Sequence, residues 1–418
     1  MTRLPVSVFL CALFAVAPPA SAQTTTEPQT RAEELRRQRE EKQGKVTPYD
    51  PNGLERAMDL AELRIMPLLQ RDGIYARFGS LTTGSGFAYG GGYRDRSLVK
   101  GRGSIDLWAA GSLKRYWALE AKARYPLAPR DRVMAEGYVR KYDYPQEDFF
   151  GLGPDSLRSN RVSFGVDGEY VGGQLLVQPV RPLTFGGGVE YLWPNVGRGS
   201  NTRVPSIEEI FDDFNAPGLQ AEHEFVRTLG FVAFDYRQPL NARKGGYYRF
   251  DISRYDNRRE LAEPPSDPSG RAALDFTRVD LELGQFVSFL AERRVLAGRI
   301  RVATTDLDET ERVPFFLLPT LGGNNTLRGF RAYRFRGLHS ILLQGEYRWE
   351  IWSAFDAAIF YDAGKVAMRR EDLNFKSLEH DYGIGFRFNT DNGIVVRVDA
   401  AFGSKDGKHL HIVFGGIF

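Results

Sequence analysis

The stretch Leu321-Gly-Gly-Asn-Asn-Thr-Leu-Arg-Gly-Phe330 decides how the rest of the chain is interpreted. It places one basic residue, Arg328, next to a glycine in a long loop. The glycines that would permit sharp backbone turns in such a loop are Gly322, Gly323 and Gly329. A later segment, Phe360-Tyr-Asp-Ala-Gly364, carries a lone carboxylate, Asp362, on an otherwise apolar strand. An arginine and a carboxylate in these places predict an ion pair that ties the loop into a barrel.

The composition favours a membrane β-barrel over an ordinary enzyme. The chain of 418 residues contains 44 Gly, 29 Phe and 19 Tyr, and its formal net charge is +3. Its mean hydropathy is negative, and no apolar run after the first segment is long enough to predict a membrane-spanning helix. Such a chain, polar on average yet rich in aromatic residues, is typical of a barrel whose lipid-facing residues alternate with polar ones facing the lumen.

The first residues predict an exported protein. Residues 1–22 have the pattern of a signal peptide, with a positive Arg3, an apolar run over 6–16 and a small-residue cleavage site at Ala20-Ser-Ala22. The apolar run is too short for a membrane anchor. The single cysteine, Cys11, lies in this segment. The mature chain would therefore have no thiol, no disulfide and no cysteine metal site.

Two segments are predicted between the signal peptide and the barrel. Residues 23–50 are interpreted as a charged periplasmic tether, because a segment with charges of both signs and few apolar residues cannot bury a core. Residues 51–72 are predicted to form a short amphipathic periplasmic helix, with Asp50 as its cap and Pro51 in its first turn. This helix would pack on the periplasmic rim of the barrel, or it would serve as a gate or a partner-binding helix.

From about residue 83 onward the hydrophobic pattern has the period of two that is typical of β-strands. For example, Tyr347 takes one face of its strand and Glu346 takes the other. The predicted strands are 83–94, 102–112, 115–125, 132–143, 160–170, 173–180, 183–193, 222–236, 246–256, 274–289, 295–305, 338–352, 355–363, 378–389, 392–403 and 408–418. Their number, sixteen, is even, as closed antiparallel bacterial barrels require. The predicted fold is therefore all-β, a 16-stranded antiparallel transmembrane β-barrel over 73–418 behind a short N-terminal periplasmic helix.

The long loop over 306–337 is predicted to enter the barrel lumen. Because side chains alternate between the two faces of a strand, Asp362 and Glu346 fall on the polar, inward faces of their strands. Both can therefore point toward Arg328. An arginine fork paired with carboxylates is strong in a crowded lumen that is shielded from bulk water. The predicted members of this lumen latch are Arg328, Gly329, Phe330, Glu346, Phe360, Asp362 and Gly364.

The last predicted strand has an outward face that ends on an aromatic residue. Leu410, Ile412, Phe414 and Phe418 fall on that one face. This ending resembles the signal by which outer-membrane barrels are recognised for insertion, although Gly416 stands where the pattern usually has a hydrophobic residue. We expect the four residues to act as a C-terminal insertion signal.

Residues 83–418 resemble the BamA/TamA superfamily, the bacterial surface antigen family of outer-membrane assembly barrels. The signature of that family is an arginine-glycine-aromatic tip on the loop between strands eleven and twelve, and here the tip is Leu327-Arg-Gly-Phe330. The aromatic-x-Asp-x-Gly motif of the family corresponds to Phe360-Tyr-Asp-Ala-Gly364, and its glutamate corresponds to Glu346. The resemblance implies a role in the insertion, assembly or translocation of proteins or lipids at the bacterial outer membrane.

The resemblance has one departure, at the N-terminal side. Typical members carry POTRA domains, which bind clients and accessory lipoproteins, and the segment from Gln23 to residue 82 leaves no room for one. The chain therefore looks like a short member that lacks POTRA domains. The partners implied are outer-membrane lipids and lipopolysaccharide, an unfolded barrel or secreted client, and a periplasmic partner of the helix over 51–72. No nucleic-acid partner is expected, because acidic and basic residues interleave in the charged segment.

Catalytic chemistry is not expected. The sequence contains no Gly-x-Ser-x-Gly elbow, no phosphate-binding loop and no His-Glu-x-x-His motif. We therefore predict no enzyme activity, no catalytic or metal-binding residues and no cofactor.

Three functional hypotheses follow. The leading one is an assembly barrel whose first and last strands, 83–94 and 408–418, form a weak seam. The second is a passive pore or secretion channel in which the loop is a constriction. The third is a structural or adhesive surface barrel that uses the long loop over 194–221.

Overall fold

Most of the predicted barrel lies within the part of the chain that can be described. The computed structural model describes residues 72–237, 243–259, 274–308, 312–352, 355–390 and 393–414. The predicted signal peptide and tether, the predicted helix up to residue 71, and Phe418 lie outside the described residues. The proposals for those segments therefore stay predictions.

Sixteen antiparallel strands form one sheet that curves into a nearly closed barrel, so the predicted all-β fold is confirmed. The strands are β1 (Gly73–Gly79), β2 (Ala88–Ser97), β3 (Gly103–Ser112), β4 (Trp117–Pro126), β5 (Val133–Phe149), β6 (Val162–Val180), β7 (Leu183–Arg198), β8 (Phe225–Asp235), β9 (Gly245–Asn257), β10 (Phe276–Phe289), β11 (Arg294–Asp306), β12 (Thr320–Leu321), β13 (Phe335–Arg336), β14 (His339–Trp352), β15 (Phe355–Ala367), β16 (Glu379–Thr390), β17 (Gly393–Ser404) and β18 (Gly407–Phe414). The short β12 and β13 pair only with each other, and β11 pairs directly with β14, the twelfth strand of the barrel.

The helices of the barrel domain are short. One α-helix turn spans Leu98–Gly101 between β2 and β3. The 3-10 helices are Pro129–Asp131, Arg158–Asn160, Ile207–Glu209, Phe315–Leu317 and Arg370–Asp372. Across the described ranges, no helix has the length and apolar character needed to cross a membrane.

The predicted number of strands is right, but two strand assignments are wrong. The first strand is β1, which lies ahead of the segment 83–94 and was missed because it is short and bounded by glycines. Conversely, the predicted strands 160–170 and 173–180 are one strand, the 19-residue β6. The strand continues through Gly172, where a Cβ atom would lie 2.8 Å from the ring of Tyr138. This glycine is therefore required by the neighbouring ring and does not mark a turn. The two errors cancel, and the long loop does follow the eleventh strand.

The two faces of the barrel wall differ as the period of two predicts. On β15, the side chains of Ile359 and Tyr361 are 49% and 52% exposed, whereas Asp362 is fully buried. On β16, Ile384 is 52% exposed and Arg387 is fully buried. The apolar side chains therefore face outward, and the charged side chains face the lumen.

An apolar cap closes the barrel at the end where β5 finishes and β6 begins. Its fully buried residues come from strand ends and from two loops, and include Phe149, Phe164, Ile207, Phe225, Phe276 and Phe315. The ring of Phe315, from the long loop after β11, lies 5.0 Å from that of Phe149 and 4.9 Å from that of Phe164. Since burial of one large apolar side chain contributes about 1.5–3 kcal/mol, this packing holds the loop firmly against the strands.

His223 is a buried titratable residue within this cap. Its Nε2 donates a hydrogen bond to the carbonyl oxygen of Gly218 at 2.7 Å, and its ring packs on Phe225 and Phe316. Its Nδ1 has no hydrogen-bond partner among the described residues. Burial lowers the pKa of His223, because a charged imidazolium would lose its hydration there.

Acidification is expected to weaken the cap through His223. An unfolded histidine has a pKa of about 6.5, so the neutral side chain stabilises the fold fully above that value, and this contribution is lost as the pH falls below it. His223→Phe keeps an aromatic ring in place and removes the titration. We expect the free energy of unfolding in urea to fall less between about pH 7.5 and about pH 5.5 in this variant than in the parent chain. An identical pH dependence in the two proteins would contradict this role for His223.

Candidate functional site: the buried loop tip and the strand seam

The loop between β11 and β14 places its tip inside the barrel. Leu327, Arg328 and Phe330 are at most 1% exposed. The tip has an apolar core of its own, shared with the barrel wall and made of Leu321, Leu327, Phe330, Phe335, Leu342 and Val366. The pairing of β12 with β13 closes the base of this unit. The loop therefore enters the lumen as a folded element and not as an extended chain.

Glycines serve two different purposes in the tip. Gly322 and Gly323 have φ angles of +114° and +98°, which only glycine adopts without strain. Gly329 lies in a turn, as predicted, since the N–H of Phe330 donates to the carbonyl oxygen of Leu327 at 3.1 Å. Its φ angle lies outside that region, however, so the turn itself does not require a glycine. Gly329 is needed for a close approach instead, since a Cβ atom there would lie 2.4 Å from the Cβ of Asp381 on β16.

Gly329→Ala is expected to push the loop tip away from the wall and lower the free energy of unfolding by about 1–3 kcal/mol, the usual cost of overpacking. The matched control is Gly298→Ala on β11, where no atom lies within 4 Å of the new Cβ. Urea unfolding of both variants measures the difference. Equal effects from the two substitutions would show that the contact with Asp381 is unimportant.

The guanidinium of Arg328 is bound by two carboxylates inside the barrel. Its Nε lies 2.7 Å from Oδ2 of Asp362, and its Nη2 lies 2.8 Å from Oδ1 of the same residue. Its Nη1 lies 3.1 Å from Oε2 of Glu346. The ring of Phe360 covers its face at 3.5 Å. The structure thus brings four of the seven predicted latch residues into direct contact.

The other three predicted latch residues support the loop without joining the ion pairs. The ring of Phe330 packs against Phe335 at 5.2 Å within the apolar core of the tip. A Cβ at Gly364 would lie 2.6 Å from the carbonyl oxygen of Ile341 and 3.2 Å from Cδ1 of Leu321. Gly364 and Gly329 therefore permit the loop to approach β15 and β16 closely, while Phe330 anchors its core.

Two further charged residues that sequence reasoning did not assign to the site complete the ion pairs around Arg328. Asp399 on β17 lies 3.4 Å from Nη1 of Arg328. Arg387 on β16 lies 2.6 Å from Asp399 and 2.7 Å from Glu346. Their position on the polar faces of predicted strands was the only signal for them, and alternation alone does not tell which inward residues meet.

The surrounding charges alternate in sign. Arg348 approaches Glu346 at 2.6 Å, and Arg397 approaches Asp399 at 3.1 Å. Arg397 also donates to the carbonyl oxygen of Asn324 in the loop at 2.5 Å. Glu346 and Asp399 each contact three arginines, which offsets the cost of burying these carboxylates. Within the described ranges, no group of three or more His, Cys, Asp and Glu side chains is placed to hold a metal ion.

The loop tip also contacts both ends of the strand order. On one side, Nε2 of His411 on β18 lies 2.7 Å from the carbonyl oxygen of Arg328. On the other side, the hydroxyl groups of Tyr333 and Thr82, which lies between β1 and β2, are 2.6 Å apart. The tip therefore bridges the first and the last hairpins of the barrel, an arrangement that no sequence pattern indicated.

The barrel has a seam where its first and last strands meet. Within the described residues, β1 pairs only with β2 and β18 only with β17. The predicted seam strand 83–94 is therefore wrong, and β1 takes its place. The ring of Phe414 on β18 lies 4.9 Å from that of Phe87, which precedes β2. A cavity of about 730 Å³ opens here between the loop over 80–87, the tip of the long loop and β18.

The residues of the predicted insertion signal lie on the outer face of β18. Leu410, Ile412 and Phe414 are 69%, 60% and 37% exposed. Phe418 lies outside the described residues. The three described residues share the lipid-facing side of the wall, and their role in insertion stays a prediction.

Comparison with known families and structures agrees with this geometry. Residues 260–415 match the family model of the Omp85 superfamily domain. No curated protein matches this sequence. The matched segment contains the loop tip, the three carboxylates that contact Arg328, and all of β18.

Solved structures share the fold. The crystal structure of BamA from Haemophilus ducreyi lacking POTRA domains 1–3 is similar at 12% sequence identity and a TM-score of 0.59, over 85% of this chain and 76% of that chain. CdiB from Escherichia coli is similar at 12% identity and a TM-score of 0.53, over 81% of this chain and 61% of that chain. At these identities the likeness concerns the fold alone. The C-terminal part of the chain, residues 260–415, thus carries an Omp85 superfamily domain, as the resemblance of its loop motif predicts.

Proposed function

We propose that this chain acts in the bacterial outer membrane, where it inserts, assembles or translocates proteins or lipids. Its surroundings would be outer-membrane lipids and lipopolysaccharide, and its client would be an unfolded barrel or a secreted protein. The observation that carries the proposal is the loop tip, which is held in the lumen by Arg328 and bridges the first and last hairpins through Tyr333 and His411. We further propose a periplasmic partner for the helix predicted over 51–72.

The filled interior favours this function over a passive pore. The loop tip is buried against β14 to β18, and the apolar cap closes one end of the barrel. Arg336 at the base of the tip is 2% exposed and donates to the carbonyl oxygen of Phe315 in the cap at 3.0 Å. A steady aqueous channel would require this packed unit to leave the lumen.

The seam provides a place for a client strand or a lipid to enter the wall. Backbone groups in a bilayer must be hydrogen-bonded, so parting two laddered strands is costly. Contacts between side chains, such as the ring packing of Phe87 and Phe414, are lost at lower cost. The ion pairs around Arg328 brace β14 to β17, so opening would be confined to the seam.

Reconstitution tests the proposal. The full chain in phosphatidylcholine liposomes is expected to accelerate the folding of an added unfolded outer-membrane barrel, relative to empty liposomes. Because the single native cysteine is Cys11, a Phe87→Cys and Phe414→Cys pair can be joined selectively by a short thiol cross-linker. The cross-linked seam is expected to abolish the acceleration.

A matched pair elsewhere in the wall provides the control. Phe289 on β10 and Tyr347 on β14 have ring centroids 6.4 Å apart, and the same cross-linker between cysteines there should leave the acceleration unchanged. Acceleration that survives the seam cross-link would exclude the seam as the entry site. A large steady ion conductance that is insensitive to both cross-links would favour the pore hypothesis instead.

A further inference from the structure

We propose that a basic pocket in the lumen wall of β1 to β5 binds a phosphate group, as found in an anionic lipid headgroup. The pocket has a volume of about 690 Å³ and is lined by seven cationic side chains but only three carboxylates. The pocket is formed by the first five strands, whereas the ion pairs around Arg328 lie on β14 to β17. The assembly hypothesis assigns no role to the pocket.

Two of the three carboxylates of the pocket are already engaged. Asp106 binds Arg94 at 2.7 Å, and Glu120 lies 3.6 Å from Arg140. Two cations are left over: within the described ranges, Arg77 on β1 and Arg102 after β2 have no carboxylate partner. Such an excess of positive charge in a partly enclosed site attracts a ligand that carries negative charge.

Arg77 is held so that its hydrogen-bond donors stay available. Its guanidinium lies over the ring of Trp108 at 3.8 Å, and the ring itself is fixed by a hydrogen bond from its Nε1 to Glu120 at 3.3 Å. Stacking uses the face of the guanidinium and leaves its N–H edge free, which is the edge that binds phosphate in a bidentate manner. In the described part of the chain, this edge has no acceptor.

Arg249 on β9 shows the difference that a carboxylate makes. Its guanidinium also covers an aromatic ring, that of Phe231 at 3.9 Å. Its donors, however, are taken by both oxygens of Asp251, at 2.6 and 2.7 Å. Arg249 is thus an arginine of the lumen that stacks on a ring and is neutralised by a carboxylate. Arg77 stacks on a ring in the same way but has no carboxylate partner among the described residues.

The surroundings favour a lipid as the source of the phosphate. Ile105, Pro126 and Met134 give the pocket an apolar side beside its cations. Arg77 lies on β1 at the seam, and its neighbour Phe78 is 51% exposed on the outer face of the same strand. A phosphate ester could therefore occupy the pocket while its acyl chains remain close to the bilayer.

Binding of phosphatidylglycerol tests the proposal. The full chain in a neutral maltoside detergent is titrated with phosphatidylglycerol and, separately, with phosphatidylcholine, and the bound lipid is counted by native mass spectrometry. We expect phosphatidylglycerol to bind more tightly. Arg77→Ala combined with Arg102→Ala should weaken its binding by about tenfold or more, the effect of losing charge-assisted hydrogen bonds. Arg77→Lys with Arg102→Lys should retain part of the affinity and shows that the pocket still folds.

Arg249→Ala is the matched control and should bind phosphatidylglycerol as the parent chain does. Inorganic phosphate, compared with chloride at equal ionic strength, separates the two sources of the ligand. Displacement of the lipid by inorganic phosphate means that the pocket recognises the phosphate group itself. Lack of displacement, with binding still lost in the double alanine variant, means that it needs the whole headgroup. Unchanged binding in the double alanine variant, or an equal loss in Arg249→Ala, overturns the proposal.

Discussion

The Arg328→Ala variant is expected to unfold in urea with a free energy about 3–5 kcal/mol below that of the parent chain, the usual cost of removing one partner from a buried ion pair. Arg328 is fully buried and contacts three carboxylates, those of Asp362, Glu346 and Asp399. Without it, Asp362 loses both of its guanidinium contacts. The substitution should also free the loop tip from the lumen, because the carboxylates no longer hold it.

Asp362→Ala should lower the free energy of unfolding by less than Arg328→Ala does, since Arg328 keeps its contacts with Glu346 and Asp399 in that variant. The double variant should lose clearly less stability than the sum of the two single losses, because the residues interact directly. Arg249→Ala is the control: its ion pair with Asp251 has side chains 32% and 26% exposed, so we expect a loss of at most about 1 kcal/mol. Fully additive losses at Arg328 and Asp362 would contradict the latch.

Glu346→Ala should destabilise the barrel as much as Arg328→Ala, again by about 3–5 kcal/mol. The reason is the number of cations that depend on this carboxylate. Arg328, Arg348 and Arg387 lie within 3.1, 2.6 and 2.7 Å of it. All three guanidiniums are nearly or fully inaccessible to solvent, so water cannot replace the lost carboxylate.

Urea unfolding of Glu346→Ala beside Glu282→Ala measures this effect. Glu282 also binds an arginine, Arg299 at 2.9 Å, but its side chain is 31% exposed and water can compensate for its loss. A small loss at both positions would show that the cluster around Glu346 is hydrated. In the liposome assay, Glu346→Ala should reduce client folding together with the stability of the loop tip.

Several features of the fold could be predicted because they depend on local periodicity. Alternation with a period of two identified the outward and inward faces, including the inward positions of Glu346 and Asp362. It failed at β6, where Gly172 suggests a turn in the sequence. In the structure the strand continues, and the glycine is needed because the ring of Tyr138 lies against it. Alternation also failed at β1, where a strand of seven residues that begins and ends with glycine is too short to establish a pattern.

The members of the site could be predicted only in part. The loop motif and the Asp362 motif could be recognised because each is contiguous in the sequence. Arg387 and Asp399 could not, because their contact joins two strands and depends on the register between β16 and β17. The contact of Tyr333 with Thr82 joins residues 251 positions apart, and no local pattern encodes such a distance.

The sequence by itself determined that Arg328 requires a carboxylate partner, that Asp362 faces inward, and that alternating β-strands form the wall, because each of these depends on residue type and on the two-residue repeat of a strand. Only the tertiary structure decided which charges meet and which do not. Closure of the sheet brings Asp399 to Arg328 and leaves Arg77 without a carboxylate among the described residues. It also carries the loop tip to both sides of the seam. These pairings follow from register and curvature, which act between strands that are distant in the chain.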